Sequence, residues 1–365
     1  MQVEMTFPTK HIESPDDPKL DELCEQLENF GPDLQSSSDW PSNSLALCSQ
    51  YGVYRWFIET RWGGLGWQEP DVVRGYLRLS SACLTTTFVI TQFVAACSRI
   101  ATSQDEGLKS ELLPDLALGK TFATVGISHL TTSRRHLVKP VLAAEEVAGG
   151  WRLNGYSPWV TGGQTADNLV VGASLIDGGQ LLLVASMNST GIQVEPGFEL
   201  VGLSASQTGK VNFDNVFVAE SRRLAGPGDN IMATAGGGGT GGLQTSTLAV
   251  GLSRAAINYL QKQALVRPEL SENIDALQRQ FEHLQDHLLN AAAGKPSCSR
   301  EELRTDANSL VLRSTQSALV AAKGAGYVEG HPVGRWCREA LFFLVWSCPQ
   351  SVAQANLCEL AGLEI

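Results

Sequence analysis

The spacing of apolar residues divides the chain into segments with different periodicity. From about Leu20 to Leu118 apolar residues recur at helical intervals, and the breaker cluster from Trp62 to Gly66 separates an earlier helical stretch from a later one. Between Phe122 and Leu224 the pattern changes to short β-branched and apolar runs bounded by Gly, Asp, Asn and Ser. The first third is therefore predicted to be mostly helical, and the middle third to be antiparallel β structure.

After a glycine run the 3.6-residue periodicity returns and predicts a C-terminal bundle of helices. The run GGGGTGG formally satisfies the nucleotide-binding pattern G-x-G-x-x-G at Gly237, Gly239 and Gly242. No strand is predicted before it, and a glycine run matches almost any glycine pattern, so we interpret it as a flexible loop. The predicted helical stretches after it are 248–265, 274–293, 304–323 and 333–360.

Helices followed by a β module and then by more helices indicate the α+β class. The alternating β-α units of a doubly wound sheet are missing from the pattern, which argues against a Rossmann domain. We predict an N-terminal helical domain over residues 1–118, a central antiparallel β-barrel domain over 119–225, and a C-terminal domain resembling a four-helix bundle over 226–365.

Composition and charge narrow the range of functions. With 43 % hydrophobic and 18 % charged residues the chain has ordinary globular composition. Its 27 basic and 38 acidic residues give a net charge of −11, which makes nucleic acid a poor candidate partner. Eight cysteines without a C-x-x-C pair suggest reduced core residues.

Targeting and membrane signals are weak in the pattern. The first residues carry Pro and Asp where a signal peptide needs an apolar region, so we expect a cytoplasmic protein. The stretch from Leu84 to Cys97 is interrupted by Thr and Gln and is shorter than the roughly 18 apolar residues that span a bilayer. We therefore expect no membrane span.

Several short blocks, in a fixed order, resemble the acyl-CoA dehydrogenase superfamily. The most specific is Gly150–Thr161, GWRLNGYSPWVT, which is similar to the family's dG-y-x-lNG-x-K-x-W-I-T segment. Gly251, Arg267 and Gln278 follow at the spacing of the family's G…R-x-x-FG-x-P-I-x-x-x-Q, although Leu270-Ser271 replaces Phe-Gly. The remaining blocks are Arg61–Gly66, Leu112–Gly119, Val211–Val216, Gly324–Tyr327, His331–Val333 and Arg335–Ala340.

The resemblance implies a helix/β-barrel/helix subunit that binds FAD and forms homodimers or homotetramers. In the family the residues matching Trp159 and Thr161 contact the flavin ring. Two residues apart on a strand, they are expected to point to the same side, and a flavin needs a flat apolar face and a hydrogen-bond donor near N5. The alternative is a Trp in a barrel core beside a solvent-facing Thr.

Other positions are assigned to the cofactor by the same resemblance. Arg267 and Gln278 match an Arg and a Gln that reach a neighbouring subunit's FAD, and a guanidinium suits a phosphate because its fork donates two bonds. Gly324 and the hydroxyl of Ser128 complete the predicted cofactor-binding set. A solvated surface arginine is the alternative for Arg267.

The catalytic carboxylate of the family is missing from this sequence. Dehydrogenation of an acyl thioester needs a general base for the α proton, normally a Glu. The usual C-terminal position falls on Ser347, with Trp346 and Cys348 covering a slip of one residue, and the alternative helical position falls on Gly241. Neither position can supply a carboxylate base.

Histidines offer weaker candidates for chemistry. His129 stands in the segment where the family's T-E-P-x-x-G-S-D is replaced by Ser128–Arg135, and imidazole can act as a base near neutral pH. A histidine bonded to backbone is the alternative, and we favour it. His283 and His287 lie one helical turn apart and could share a metal, but no third ligand is visible, so we predict no metal site.

Three functional hypotheses remain. The first is an FAD-dependent dehydrogenase-like oxidoreductase acting on the CH–CH group of an acyl chain carried by coenzyme A or an acyl carrier protein. The second is a flavin-dependent monooxygenase on the same fold, which needs no α-proton base. The third is a scaffold that keeps the fold and has lost the chemistry, because fold alone does not fix function. The electron acceptor is left open.

Overall fold

Helices occupy both ends of the chain and strands its middle, in a computed structural model that describes residues 10–36, 39–131, 140–233 and 242–363. This order confirms the α+β prediction. The N-terminal helices are α1 (Lys19–Ser36), α2 (Ser42–Gln50), α3 (Glu69–Ala82), α4 (Leu84–Ala101) and α5 (Glu106–Ala117). The strands are β1 (Ala123–Gly126), β2 (Leu142–Val147), β3 (Gly150–Thr161), β4 (Asn168–Ser174), β5 (Gln180–Ser186), β6 (Ile192–Val194), β7 (Thr208–Ala219) and β8 (Arg223–Gly228), with a one-turn helix, α6 (Ser128–Thr131), after β1. The C-terminal helices are α7 (Leu243–Ala264), α8 (Ser271–Ala292), α9 (Arg300–Ala322), α10 (Pro332–Ala340) and α11 (Gln350–Leu360).

The strands form one eight-stranded sheet in the order β6-β7-β3-β2-β4-β5-β8, with β1 added beside β4. Most pairs are antiparallel, as predicted. The sheet is nevertheless mixed, because β1 runs parallel to β4, with Ala123 opposite Asn168, and one parallel bridge joins β2 to β4. The α6 region and β2–β3 lie between β1 and β4 in sequence, and a connection of that length allows two strands to run in the same direction.

The helix α4 lies in the core that joins the helices to the sheet. By length and composition it could cross a membrane, but 72 % of its apolar window is buried inside the protein, as in the core helix of a folded domain. Its side chains Phe88, Ile90 and Phe93 are buried in the same cluster as Val125 on β1. The helix thus carries the contact between the N-terminal helices and the first strand.

Gly251 allows α3 and α7 to pack closely. A Cβ atom placed there would lie 1.9 Å from the Ser80 hydroxyl oxygen and 2.9 Å from the Leu77 carbonyl oxygen. Any other residue would have to push the two helices apart. The glycine that begins one of the sequence blocks is therefore a packing requirement rather than a contact to a ligand.

The helices of the C-terminal third differ in detail from the predicted stretches. The helix α9 begins at Arg300 rather than 304 because Ser299 and Glu302 form a capping box, each side chain bonded to the other's backbone N–H at 3.1 and 2.8 Å. The predicted stretch 333–360 is two helices, α10 and α11. Ser347 adopts a left-handed backbone with φ of 45°, and Pro349 precedes α11, so no continuous helix can form.

The change from helix to strand falls between Ala117 and Ala123, and the change back falls between Gly228 and Leu243. The strand β8 runs across the predicted limit at 225, since strand pairing with β5 carries it to Gly228. The division into domains at 118 and 225 stays a prediction.

Candidate functional site

An aromatic ring lies half exposed near the end of β3. Trp159 exposes 47 % of its surface, and its ring meets that of Phe198 edge to face with centroids 5.0 Å apart. The register of β3 against β7 shifts between Ser157 and Val160. Such bulges re-aim side chains. A flat aromatic surface is thus available to a ligand at this end of the sheet.

Thr161, the other residue of the predicted pair, is buried. It exposes 3 % of its surface, and its carbonyl oxygen accepts a hydrogen bond from the Thr124 hydroxyl at 2.8 Å. Its hydroxyl lies 2.8 Å from that of Thr208, which lies 2.8 Å from that of Ser206. The alternative of a core Trp beside a solvent-facing Thr does not hold, because the burial is the reverse.

The three hydroxyls of Thr161, Thr208 and Ser206 form a chain with two hydrogen bonds. Three hydroxyl protons are present and two are used, so one O–H remains for another acceptor. When Ser206 donates to Thr208 and Thr208 donates to Thr161, the free proton is that of Thr161. The chain can therefore present a donor next to the Trp159 position.

Two further hydroxyls, on α6 and β3, are buried without a hydrogen-bond partner in the described part of the protein. They belong to Ser128 on α6 and Ser157 on β3. Ser157 faces β1, since a Cβ on Gly126 would lie 2.7 Å from its hydroxyl oxygen. A buried hydroxyl without a partner is uncommon in a native structure and points to a missing water or ligand.

His129 is bonded to backbone, as we favoured. Its Nε2 lies 2.8 Å from the carbonyl oxygen of Gly172, so Nε2 carries the proton and donates. Nδ1 is buried and has no partner among the described residues. Burial lowers the pKa of His129, and the bond to Gly172 opposes this only in part. The imidazole is therefore neutral near pH 7, with one free acceptor nitrogen.

The turn that carries Ser347 is held by a buried arginine. Arg304 is fully buried and donates from Nη2 to the carbonyl oxygens of Phe343 and Trp346, at 2.9 and 3.0 Å. Its Nε donates to Asn308 at 2.9 Å. Burial lowers the pKa of Arg304 to about 10, so it stays a cation near pH 7. The role of Arg304 was not identified from the sequence, which shows only an arginine in a predicted helical stretch.

Aromatic side chains close the other side of this turn. The Trp346 ring stacks on Phe342 at 5.0 Å, and both rings meet Phe88 of α4 edge to face at 5.1 and 4.9 Å. Ser347 and Cys348 are partly buried behind them. Burial raises the pKa of the Cys348 thiol, with Arg304 partly opposing the effect. The Cys348 thiol is therefore protonated near neutral pH, and Gly241, the other predicted base position, lies outside the described residues.

A buried carboxyl group that sequence analysis missed lies on α10. Glu339 exposes 2 % of its surface, accepts a hydrogen bond from Thr85 of α4 at 3.2 Å, and has Arg335 Nε at 3.8 Å. Its Oε2 has no partner among the described residues, and burial raises its pKa although Arg335 opposes the shift. A Cβ on Gly202 would lie 3.2 Å from the Glu339 nitrogen, so the loop that carries Phe198 also packs on α10.

The other predicted cofactor residues lie on the C-terminal helices. Arg267 donates from Nη2 to the Ala321 carbonyl oxygen at 2.7 Å and to Gln263 at 2.6 Å. Gln278 donates to Glu282 at 2.7 Å. A Cβ on Gly324 would meet no atom within 4 Å. Hydrogen bonds do not join Arg267 or Gln278 to the β3 residues, so their predicted role toward a neighbouring subunit stays a prediction.

The two histidines of α8 are bonded to each other. His287 Nε2 lies 2.9 Å from His283 Nε2, and the Ser297 hydroxyl lies 2.8 Å from His287 Nδ1. Within the described ranges no group of three or more His, Cys, Asp or Glu side chains is placed to hold a metal ion.

Comparison with known proteins identifies relatives for most of the chain. It is 25 % identical over 254 residues to isovaleryl-CoA dehydrogenase from Solanum tuberosum, an alignment covering 64 % of this chain and 61 % of that protein. It is 23 % identical over 338 residues to glutaryl-CoA dehydrogenase from Desulfococcus multivorans, covering 85 % and 84 %. The chain thus spans about three fifths of the length of the potato relative. No protein-family model matches it.

The fold is shared with a solved structure of the same kind. Butyryl-CoA dehydrogenase from Megasphaera elsdenii superposes with a TM-score of 0.79 at 18 % identity, over 94 % of this chain and 98 % of that one. The helix–sheet–helix architecture agrees with the fold of that structure. The curated relatives and the shared fold together support the acyl-CoA dehydrogenase superfamily for this chain.

Proposed function

We propose that the protein is an FAD-dependent oxidoreductase that acts on the CH–CH group of an acyl thioester, with coenzyme A as the carrier. The observation that carries the proposal is the half-exposed Trp159 ring on a strand that also carries the buried, unpartnered hydroxyl of Ser157. The curated relatives are named as acyl-CoA dehydrogenases, which favours this reaction over a monooxygenase or a scaffold without chemistry.

Three of the predicted cofactor residues have the chemistry that a flavin needs. The ring offers an apolar face, the Ser128 hydroxyl needs a hydrogen-bond partner, and the Thr161 chain has one proton to donate. When bound, FAD would accept the hydride that leaves the β carbon of the substrate. Trp159, Ser128 and Thr161 would hold its ring system. Arg267, Gln278 and Gly324 would bind its remaining parts, and Arg267 and Gln278 would do so for the FAD of a neighbouring subunit.

The chain's own residues must also remove the α proton. A Ser347 hydroxyl is far too weakly basic to do so without an activating partner, and no carboxylate hydrogen-bonds to it among the described residues. The neutral His129 has a free acceptor nitrogen, and the Glu339 carboxyl has one oxygen without a partner. We assign the role of α-proton base to neither group, because no observed contact connects either of them to Ser347, the predicted base position.

A homo-oligomer forms part of the same proposal. Exposed apolar side chains cluster where the ends of α7 and α9 meet, around the bond from Arg267 to Ala321. An apolar cluster of this kind on a surface is a typical subunit contact. We call it the α7–α9 patch, and its members are Leu265, Val266, Val320, Tyr327 and Val328.

Two measurements test the activity. The purified protein should be yellow with one FAD per chain, and anaerobic addition of an acyl-CoA panel should bleach the flavin absorbance. A protein that contains no flavin and does not take up added FAD would contradict the cofactor assignment. Flavin that is retained and never bleached by any thioester, but is reoxidised with hydroxylation of a substrate after chemical reduction, would favour the monooxygenase.

A further inference from the structure

The guanidinium group of Arg254 on α7 has no hydrogen bond or ion pair to any residue in the described ranges. It is half buried and lies over the ring of Phe281, with 5.5 Å between its Cζ atom and the ring centroid. Stacking on a ring fixes the plane of a guanidinium and leaves its N–H edges free. Arg254 therefore presents unused donors in a fixed orientation.

A second guanidinium lies beside it. Arg78 on α3 is paired with Asp21 of α1, and its charge acts together with burial to lower the pKa of Arg254. Placing two like charges together in a partly buried site is unfavourable unless an anion lies near. Asp21, which pairs with Arg78, lines the same cleft, whereas Arg254 has no such carboxylate partner among the described residues. The net charge of the chain is −11, so this local pair of cations does not follow from a basic surface.

Both arginines line a cleft of about 310 Å³ between α1, α3 and α7. Ser81 and Asn258 also line it, and Asn258 and Arg254 continue into an adjoining cleft of about 380 Å³ between α7 and α8. Glu28 stands on the α1 wall, where burial raises the pKa of its carboxyl. The cleft thus combines two guanidiniums, a hydroxyl and an amide with the carboxyl groups of Asp21 and Glu28, around a volume that admits a small molecule.

We infer that this cleft binds a phosphate-bearing small molecule, with the phosphate held by Arg254 and Arg78. Two guanidinium forks can donate to different oxygens of one phosphate, and Ser81 and Asn258 supply neutral donors. None of these four side chains belongs to the set proposed above for FAD, although Gln278 of that set lines the adjoining cleft. The inference goes beyond the proposed function, and the FAD content of the Arg254 variant distinguishes the two.

Titration calorimetry of the purified protein with inorganic pyrophosphate, at low ionic strength, tests the inference. One saturable site per chain is expected. Arg254→Gln should weaken binding roughly 10- to 100-fold, the range of charge-assisted hydrogen bonds. Glu28→Gln should strengthen binding, since it removes a carboxylate from the wall. Arg152→Gln, which changes the net charge equally but lies on β3, should bind as the wild type does.

Four results would contradict binding of a phosphate group by Arg254 and Arg78. Absence of saturable binding to the wild type would overturn the inference, as would an equal loss in the Arg152 variant, which would show a general charge effect. Loss of FAD from Arg254→Gln would mean that the arginine serves the cofactor instead. A fall in subunit number of that variant, with no pyrophosphate binding to the wild type, would mean that a carboxylate of a second copy pairs with Arg254.

Discussion

Arg304 donates a hydrogen bond of 3.0 Å to the carbonyl oxygen of Trp346, the residue directly before Ser347. Asn308, one turn further along α9, donates to the Phe343 carbonyl oxygen at 3.1 Å. The turn that carries Ser347, the predicted base position, is therefore anchored at two backbone positions by buried side chains. A side chain placed at position 347 would therefore project from a backbone that is held in place.

Restoring a carboxylate at this point is the most direct trial of the chemistry. Ser347 already holds a left-handed backbone as an L residue, so Glu brings no new backbone restriction. If only the base was lost, Ser347→Glu should raise acyl-CoA oxidation, because a positioned general base contributes on the order of 10²- to 10⁴-fold. Anaerobic bleaching of the flavin by short acyl-CoAs measures the effect.

Ser347→Gln is the matched control, since it has the same size and cannot accept the proton. Ser347→Ala should keep most of any wild-type activity. Thioester binding without bleaching in a Ser347→Glu variant that holds FAD would contradict the dehydrogenase proposal. A large loss in Ser347→Ala would reveal an activating partner for the serine.

Removing the exposed ring of Trp159 should weaken flavin binding. Trp159→Ala takes away the aromatic face and is expected to raise the FAD dissociation constant roughly 2- to 10-fold, the usual worth of an aromatic contact. Trp159→Phe should fall between that variant and the wild type. The quantity to measure is the flavin-to-protein ratio after dialysis. Phe217→Ala, which removes an exposed ring from β7, is the control, and equal flavin retention in all variants would refute the role of Trp159.

The buried Glu339 should make folding stability depend on pH. Its folded pKa is raised, so between its ordinary value and that raised value the folded chain keeps a proton that the unfolded chain has lost. Stability contributed by this group is therefore lost as pH rises through that window. Glu339→Gln cannot ionise and should gain stability relative to the wild type as pH rises above the ordinary glutamate pKa of about 4.3.

Urea unfolding of both proteins across this pH range checks the Glu339 prediction. Glu146→Gln, on the exposed side of β2, should follow the wild type. The difference in the free energy of unfolding between Glu339→Gln and the wild type should grow as pH rises. If it stays constant or shrinks, Arg335 offsets the burial of the carboxylate completely.

The α7–α9 patch should be a contact between subunits. Val266 exposes 77 % of its surface in the single chain, and Val266→Asp would place an unpaired charge in an apolar interface. Light scattering should give a multiple of 39.2 kDa for the wild type and a smaller particle for the variant. Ile176→Asp, a fully exposed apolar residue between β4 and β5, should leave the mass unchanged. A wild-type monomer at micromolar concentration would contradict the prediction.

Local sequence was sufficient for several features of this protein. Periodicity predicted helices at both ends and strands between them, because a helix or a strand repeats its buried face every few residues. The order of short blocks identified the superfamily. Ser347 could be assigned to the position of the family's catalytic base from its spacing to Arg338-Glu-Ala340 alone, and this assignment stays a prediction.

Tertiary structure decided which of these residues are exposed and what they contact. Trp159 is half exposed within the segment between Ser157 and Val160 where the register of β3 against β7 shifts, whereas Thr161, which pairs with Thr208 after the shift, is buried. Both depend on a strand about fifty residues away. Glu339 meets Thr85 across 254 positions, and Arg304 meets Trp346 across 42. Arg254 and Arg78 line one cleft because α7 packs against α3, a contact in which Gly251 lies against Ser80 and Leu77. Burial and pairing of charges depend on such long-range contacts, which the period of a single element does not encode.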